Sequence, residues 1–210
     1  MRRSLILIAI IVVIMGIAVT PVAASYGFYR NDSTDYDWVD SDYRPLPQDD
    51  IMYWDVSRSR YTGVSDVKGF QFGGNGWCYV RIGMTFVPTE SGDSFFGVSW
   101  TFDYKLRSNY WWFLPGTVSA RVYYVLFDNS WTELDRNQIG PTWIVSYGNT
   151  IQGDYQWYSF YPSRFSPSLT AYNTYHACIE VRYDITLAGE VLGNGDIYST
   201  LDVSYMTITS

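Results

Sequence analysis

The sequence predicts an all-β protein: a two-sheet antiparallel sandwich, jelly-roll-like, preceded by an N-terminal hydrophobic export helix. Three observations carry this. Past Ser25 helix formers are scarce, with only Ala120, Ala171, Ala177, Ala188 and Glu90, Glu133, Glu180, Glu190. All 9 Trp, 20 Tyr and 11 Phe also lie past Ser25, and such residues suit pleated, half-buried surfaces. Strand-like runs separated by Gly, Pro, Asn and Ser clusters then recur to the end of the chain.

The chain divides into residues 1–24, 25–50 and 51–210. In the first part Arg2 and Arg3 precede an uncharged run from Leu5 to Val19, followed by Thr20, Pro21, Val22, Ala23 and Ala24. This is the layout of a secretory signal peptide cut before Ser25. The alternative is an uncleaved anchor through residues 5–24, whose twenty residues at roughly 1.5 Å each match a bilayer core of roughly 30 Å. Either way residues 26–210 lie outside the cytoplasm, so the protein is expected to be secreted or held at the cell surface.

Residues 25–50 read as an acidic linker or arm. Asp32, Asp35, Asp37, Asp40 and Asp42 alternate with Tyr36, Trp38 and Tyr43 before Pro45 and Pro47, a charge density that argues against a packed strand. Asn31-Asp32-Ser33 is a glycosylation sequon, which makes Asn31 an expected acceptor on an exposed segment. The Asp-x-Asp pairs carry oxygen ligands of the type calcium uses. No Gly-centred loop ending in Glu follows them, and no metal site or cofactor is expected.

Residues 51–210 form one domain, with strands expected at 51–56, 67–72, 77–87, 95–106, 117–127, 142–147, 155–161, 175–188 and 197–208. Phe96, Val98, Trp100, Phe102, Tyr104 and Leu106 alternate against Ser99, Thr101, Asp103 and Lys105. Ala177, Ile179, Val181, Tyr183, Ile185 and Leu187 alternate against Glu180, Arg182, Asp184 and Thr186 in the same way. Gly193-Asn194-Gly195 reads as a tight turn. A closed barrel is the second architecture compatible with the pattern.

Cys78 and Cys178 are the only cysteines, and an even count outside the cytoplasm predicts one disulfide. Alternation sets a condition on it: Cys78 shares a face with Val80 and Ile82, Cys178 with His176 and Glu180, so a bulge or two meeting strand ends would have to join them.

The net charge is −7, becoming −9 without Arg2 and Arg3, and the only lysines are Lys68 and Lys105. Phosphate backbones and anionic membranes reward basic patches, so nucleic acid is excluded as a partner. His176, the single histidine, sits among charged strand neighbours as an expected exposed residue with no Ser-His arrangement around it. Glu133-Leu134-Asp135-Arg136-Asn137-Gln138 resembles the E-x-D-x-x-E strand of jelly-roll glycoside hydrolases similar to laminarinases. That resemblance implies nucleophile and acid/base roles for the first and last acids. Here the last is Gln138, which removes the proton donor a retaining mechanism requires, and no catalytic activity is expected.

Aromatic surface is the remaining lead. Tyr110, Trp111 and Trp112 lie in an expected loop, while the runs holding Tyr123 and Phe127, and Trp157 and Tyr158, are apolar on both faces where a sandwich strand should turn one to water. These seven are the candidate contact residues. The expected function is structural or adhesive, through association with further copies or other envelope proteins. The alternative is a carbohydrate-binding module that stacks extracellular polysaccharide on exposed Trp and Tyr.

Overall fold

The computed structural model describes residues 30–31, 38–44, 52–60, 62–72, 75–110, 116–146, 148–187 and 193–209. The N-terminal hydrophobic segment, Trp111 and Trp112 lie outside them, and of Tyr110 and Asn31 only the backbone is described. Among the described residues eleven strands form two antiparallel sheets: β1 (Arg30–Asn31), β2 (Trp38–Arg44), β3 (Met52–Ser59), β4 (Val64–Phe72), β5 (Asn75–Phe86), β6 (Phe95–Tyr110), β7 (Gly116–Asp128), β8 (Glu133–Ser146), β9 (Thr150–Arg164), β10 (Tyr175–Leu187) and β11 (Gly193–Thr209). One sheet runs β3-β4-β11-β6-β9, with β1 also on β11, and the other runs β2-β5-β10-β7-β8. Consecutive strands stay within one sheet only from β3 to β4 and from β7 to β8 and otherwise alternate between the sheets, the wrapping of a jelly-roll-like sandwich.

The alternating residues form the core as expected. Phe96, Val98, Trp100, Phe102, Leu106, Ile197 and Leu201 of the six-stranded sheet are fully buried against Val80, Ile82, Met84, Val122, Tyr124, Val181 and Ile185 of the five-stranded sheet. Ring pairs bridge the layers: Phe96 and Tyr124 centroids are 5.4 Å apart, Phe102 and Trp143 4.7 Å. Buried polar links tie the sheets: the Tyr183 and Ser199 hydroxyls meet at 2.5 Å and satisfy each other, and the Ser108 hydroxyl donates to the Gly116 carbonyl at 2.9 Å.

Three expectations change. Part of the acidic arm is a strand after all: β2 pairs with β5 from Trp38 opposite Gly83 to Arg44 opposite Trp77. Its charge is tolerated because β2 is an edge strand whose Asp40 finds Arg81 on its neighbour. Gly193-Asn194-Gly195 is not a turn but the start of β11, paired with Tyr110, Asn109 and Ser108. Gly195 is needed for close approach, since a Cβ there would stand 2.8 Å from methyl carbons of both Ile185 and Val118.

The third correction concerns the cysteines, which are two free, buried thiols. Cys78 is opposite Tyr183 on β10 and points into the core, whereas Cys178 is opposite Gly83 and Val125 and belongs to the outer face of the same sheet. Five residues of strand separate the two positions, about 17 Å, and opposite faces complete the separation. The bulge that would have reconciled them is absent from the β5–β10 register. Ellman titration of unreduced protein should therefore find no reactive thiol in the native state and two after unfolding; two silent cysteines in denaturant would contradict this.

Candidate functional site

The outer face of the five-stranded sheet is where the sequence placed most surplus aromatic surface, and the structure closes it. Tyr123, Val125 and Phe127 point outward from β7, yet Phe127 is 5 % exposed. Trp131, from the β7–β8 turn, folds back over Phe127 and lies flat on His176 with centroids 3.9 Å apart. Arg81 covers Phe127 from β5 at 5.0 Å, and Arg136 covers Tyr123 from β8 at 5.3 Å. His176 is consequently buried rather than exposed, its Nδ1 bonded to the Thr85 hydroxyl at 3.0 Å.

Holding this cover in place is a chain of charges across the sheet. Glu180, on β10, is completely buried between two guanidinium groups: Arg81 Nε donates to its Oε2 at 2.7 Å, and Arg136 reaches both its oxygens. Asp40 binds the far side of Arg81 at 3.3 Å, and Glu133 the far side of Arg136 at 3.0 and 2.8 Å. Burial disfavours charge on Arg136, but its hydrogen bonds to Glu133 and Glu180 outweigh this and hold its pKa above the ordinary value. Glu133 is thus a partner of Arg136, and Gln138 bonds the Gly140 carbonyl at 2.8 Å and the Thr142 hydroxyl at 3.0 Å. Glu133, Arg136 and Gln138 of the hydrolase-like string are thus spent on the sheet itself.

The six-stranded sheet has the opposite character. Its outer face bears an open polar groove of about 470 Å³ crossing β3, β4, β11, β6 and β9. Register explains its composition. One cross-strand row reads Lys68, Tyr198, Lys105 and Gln152; the next reads Ser57, Asp66, Thr200 and Asp103, with Asp154 beyond. Inward partners on the same strands, Val67, Leu106 and Ile197, are buried, so alternation forces the polar set and the Tyr198 ring outward. Asp66 accepts from the Thr200 hydroxyl at 2.6 Å.

Edge strand β9 adds two further rings. Between the pairs Phe102–Gln156 and Tyr104–Gly153, β9 carries one residue more than β6, a bulge made by Asp154 and Tyr155. Tyr155 takes φ 41° there, an uncommon value for a non-glycine residue, and is 71 % exposed. Trp157, opposite Thr101, is 59 % exposed, and Tyr198 51 %. Gly153 supports the bulge because a Cβ would lie 2.6 Å from the Tyr104 ring beneath. Gly153→Ala should cost about 1–3 kcal/mol in chemical denaturation, by overpacking; an unchanged midpoint would show that the ring moves freely.

Of the sequence candidates whose side chains are described, only Trp157 is an open platform. Tyr158 points inward and stacks on Trp100 at 5.5 Å, Tyr123 lies under Arg136, and Phe127 is buried. Tyr198, Lys68 and Lys105 of the groove, and Tyr155 on the edge strand beside it, were not singled out from sequence. A signal for Tyr198 was present: it sits on the polar side of an alternating strand, with Thr200 and Asp202, opposite Ile197, Leu201 and Val203.

No family model matches the sequence, and no curated protein is similar to it. Among solved structures, the CBM22-1 xylan-binding domain of Paenibacillus barcinonensis Xyn10C is similar over 87 % of this chain and 98 % of its own, with 10 % identity and a TM-score of 0.27. The C-terminal family 22 carbohydrate binding module of Clostridium thermocellum Xyn10B is similar over 83 % of this chain and 97 % of its own, with 14 % identity and a TM-score of 0.26. Both of these neighbours are carbohydrate-binding modules.

Proposed function

We propose that the protein is a non-catalytic, extracellular carbohydrate-binding domain that takes polysaccharide in the groove on the outer face of its six-stranded sheet. The observation that carries this is an open groove in which the exposed Tyr198 ring stands beside a row of hydroxyl, amide and carboxylate groups, with two further exposed rings, Tyr155 and Trp157, on edge strand β9 of the same sheet outside the groove lining. Sugars present axial C–H faces and equatorial hydroxyls, so a ligand of this class needs both a flat apolar ring and hydrogen-bond acceptors beside it. Asp66, Asp103 and Asp154 supply acceptors, and Gln152 and Thr200 supply both donors and acceptors.

Self-association, the function expected first, loses most of its support because the double-sided apolar run of β7 is covered by the protein's own Trp131, Arg81 and Arg136. Export through residues 1–24 accords with an extracellular polysaccharide ligand and is part of this proposal.

Affinity electrophoresis in gels containing soluble polysaccharides tests the reading. Wild-type protein should be retarded by at least one of them. Tyr198→Ala and Trp157→Ala should each weaken retardation, by about 1–3 kcal/mol for a lost stacking side chain, with melting temperature nearly unchanged because both side chains are exposed. Retardation that survives the double substitution would place binding elsewhere on the protein.

A further inference from the structure

Both lysines of the chain, Lys68 and Lys105, occupy the same row of the groove, one on either side of Tyr198. Adjacent strands lie about 4.8 Å apart, so the two backbone positions are separated by about 10 Å with the phenol ring between them. Arg107 follows two residues after Lys105 on the same face of β6 and lines the adjoining hollow with Lys105, Asp196 and Tyr198. Among the described residues neither lysine makes an ion pair, although acids stand in the neighbouring rows. Register sets Asp55 opposite Lys68 and the neutral Gln152 opposite Lys105, which leaves Lys105 the cation with the less acidic row partner. Asp196 lines the same hollow, where burial raises its carboxyl pKa against the pull of Arg107 and Lys105.

In an acidic protein this is a specific placement. Both lysines are committed to a groove that also presents a stacking ring. We infer that the Tyr198 position is a subsite for a sugar bearing a carboxylate, seated on the ring with its acid group toward Lys105 and Arg107 and with Lys68 on the opposite side. The inference rests on the polysaccharide-binding reading and refines it. The acids of the next row, Asp66, Asp103 and Asp154, repel a uniformly charged polymer and suit neutral sugars, so the expected ligand is a largely neutral glycan with sparse uronate residues.

Titration calorimetry with glucuronoxylan and gum arabic, each beside its carboxyl-reduced product, provides the test. Reduction removes the charge and keeps the backbone. Wild-type protein should bind at least one acidic form about tenfold more tightly than its reduced form, the increment of a charge-assisted contact, and the advantage should shrink as salt rises. Lys105→Gln combined with Lys68→Gln should lower the ratio of acidic to reduced affinity at least severalfold, Arg107 supplying what remains, and an unchanged ratio would overturn the subsite. Equal affinity for acidic and reduced forms, lost in Tyr198→Ala, would overturn the carboxylate subsite and leave the groove as a neutral-sugar site. Absence of binding to all four glycans would overturn the subsite too, and retardation of the same protein by a neutral polysaccharide would then show the broader reading intact.

Discussion

Glu180→Ala is expected to be among the most destabilising single substitutions outside the core, at about 3–5 kcal/mol. Deleting the carboxylate leaves Arg81 and Arg136 facing each other across a position from which water is excluded, with Glu180 itself at 0 % exposure in the native protein. Much of the cost comes from the stranded arginines rather than from the lost pair. The same arginines cover Phe127 and Tyr123, so their displacement also opens the satellite cluster with Val125 and Cys178. At this chain length the loss corresponds to a fall in melting temperature on the order of 10 °C. Replacing Glu180, Arg81 and Arg136 together by Leu, Met and Met should recover most of it, because an apolar trio leaves no orphan charge. A Glu180→Ala protein that melts with the wild type would show that the charge chain is ornamental.

The second large effect is alkaline. Burial, with a smaller contribution from Asp42, pushes the Cys78 thiol from an ordinary 9.0 to about 12, and burial likewise pushes the Tyr124 phenol from 10.0 to about 12. Burial also raises Cys178 and Tyr183. The sign follows from which state ionises first. Below about pH 9 these groups are protonated in both folded and unfolded chains and stability does not depend on them. Between about 9 and 12 the unfolded chain loses protons that the folded chain retains, so stability falls throughout this window. For Cys78 alone the loss reaches about 4 kcal/mol at its upper end. Urea midpoints should be level from pH 7 to 9 and then decline steadily. A flat profile to pH 11 would mean that these side chains reach solvent.

Much of the fold was legible because alternation is a direct record of a two-sided environment. The inward set of β6 and β10, from Phe96 to Leu106 and from Ala177 to Ile185, is buried as its period-two pattern requires. β2 was not legible, since Asp40 and Asp42 look incompatible with a strand until Arg81 and Tyr79 on the adjacent strand are known. The site was harder still. Aromatic density led to β7, where Tyr123, Val125 and Phe127 look surplus, but the cover comes from Trp131 beyond the strand and from guanidinium planes of β5 and β8. Cross-strand partners of that kind leave no trace in local sequence. The groove is likewise an assembly of isolated polar-face residues, Lys68, Tyr198 and Lys105, that only the β4-β11-β6 register brings into one row.

Covalent footprinting of the native protein, with and without a soluble polysaccharide that retards it, tests the location of the site most directly. Protection should concentrate at Tyr198, Trp157 and Tyr155, with Trp131 and Tyr172, exposed elsewhere, labelled equally in both states. Protection of Trp131 and its neighbours on β8, with the Tyr198 row unchanged, would contradict the assignment of the six-stranded sheet as the binding face.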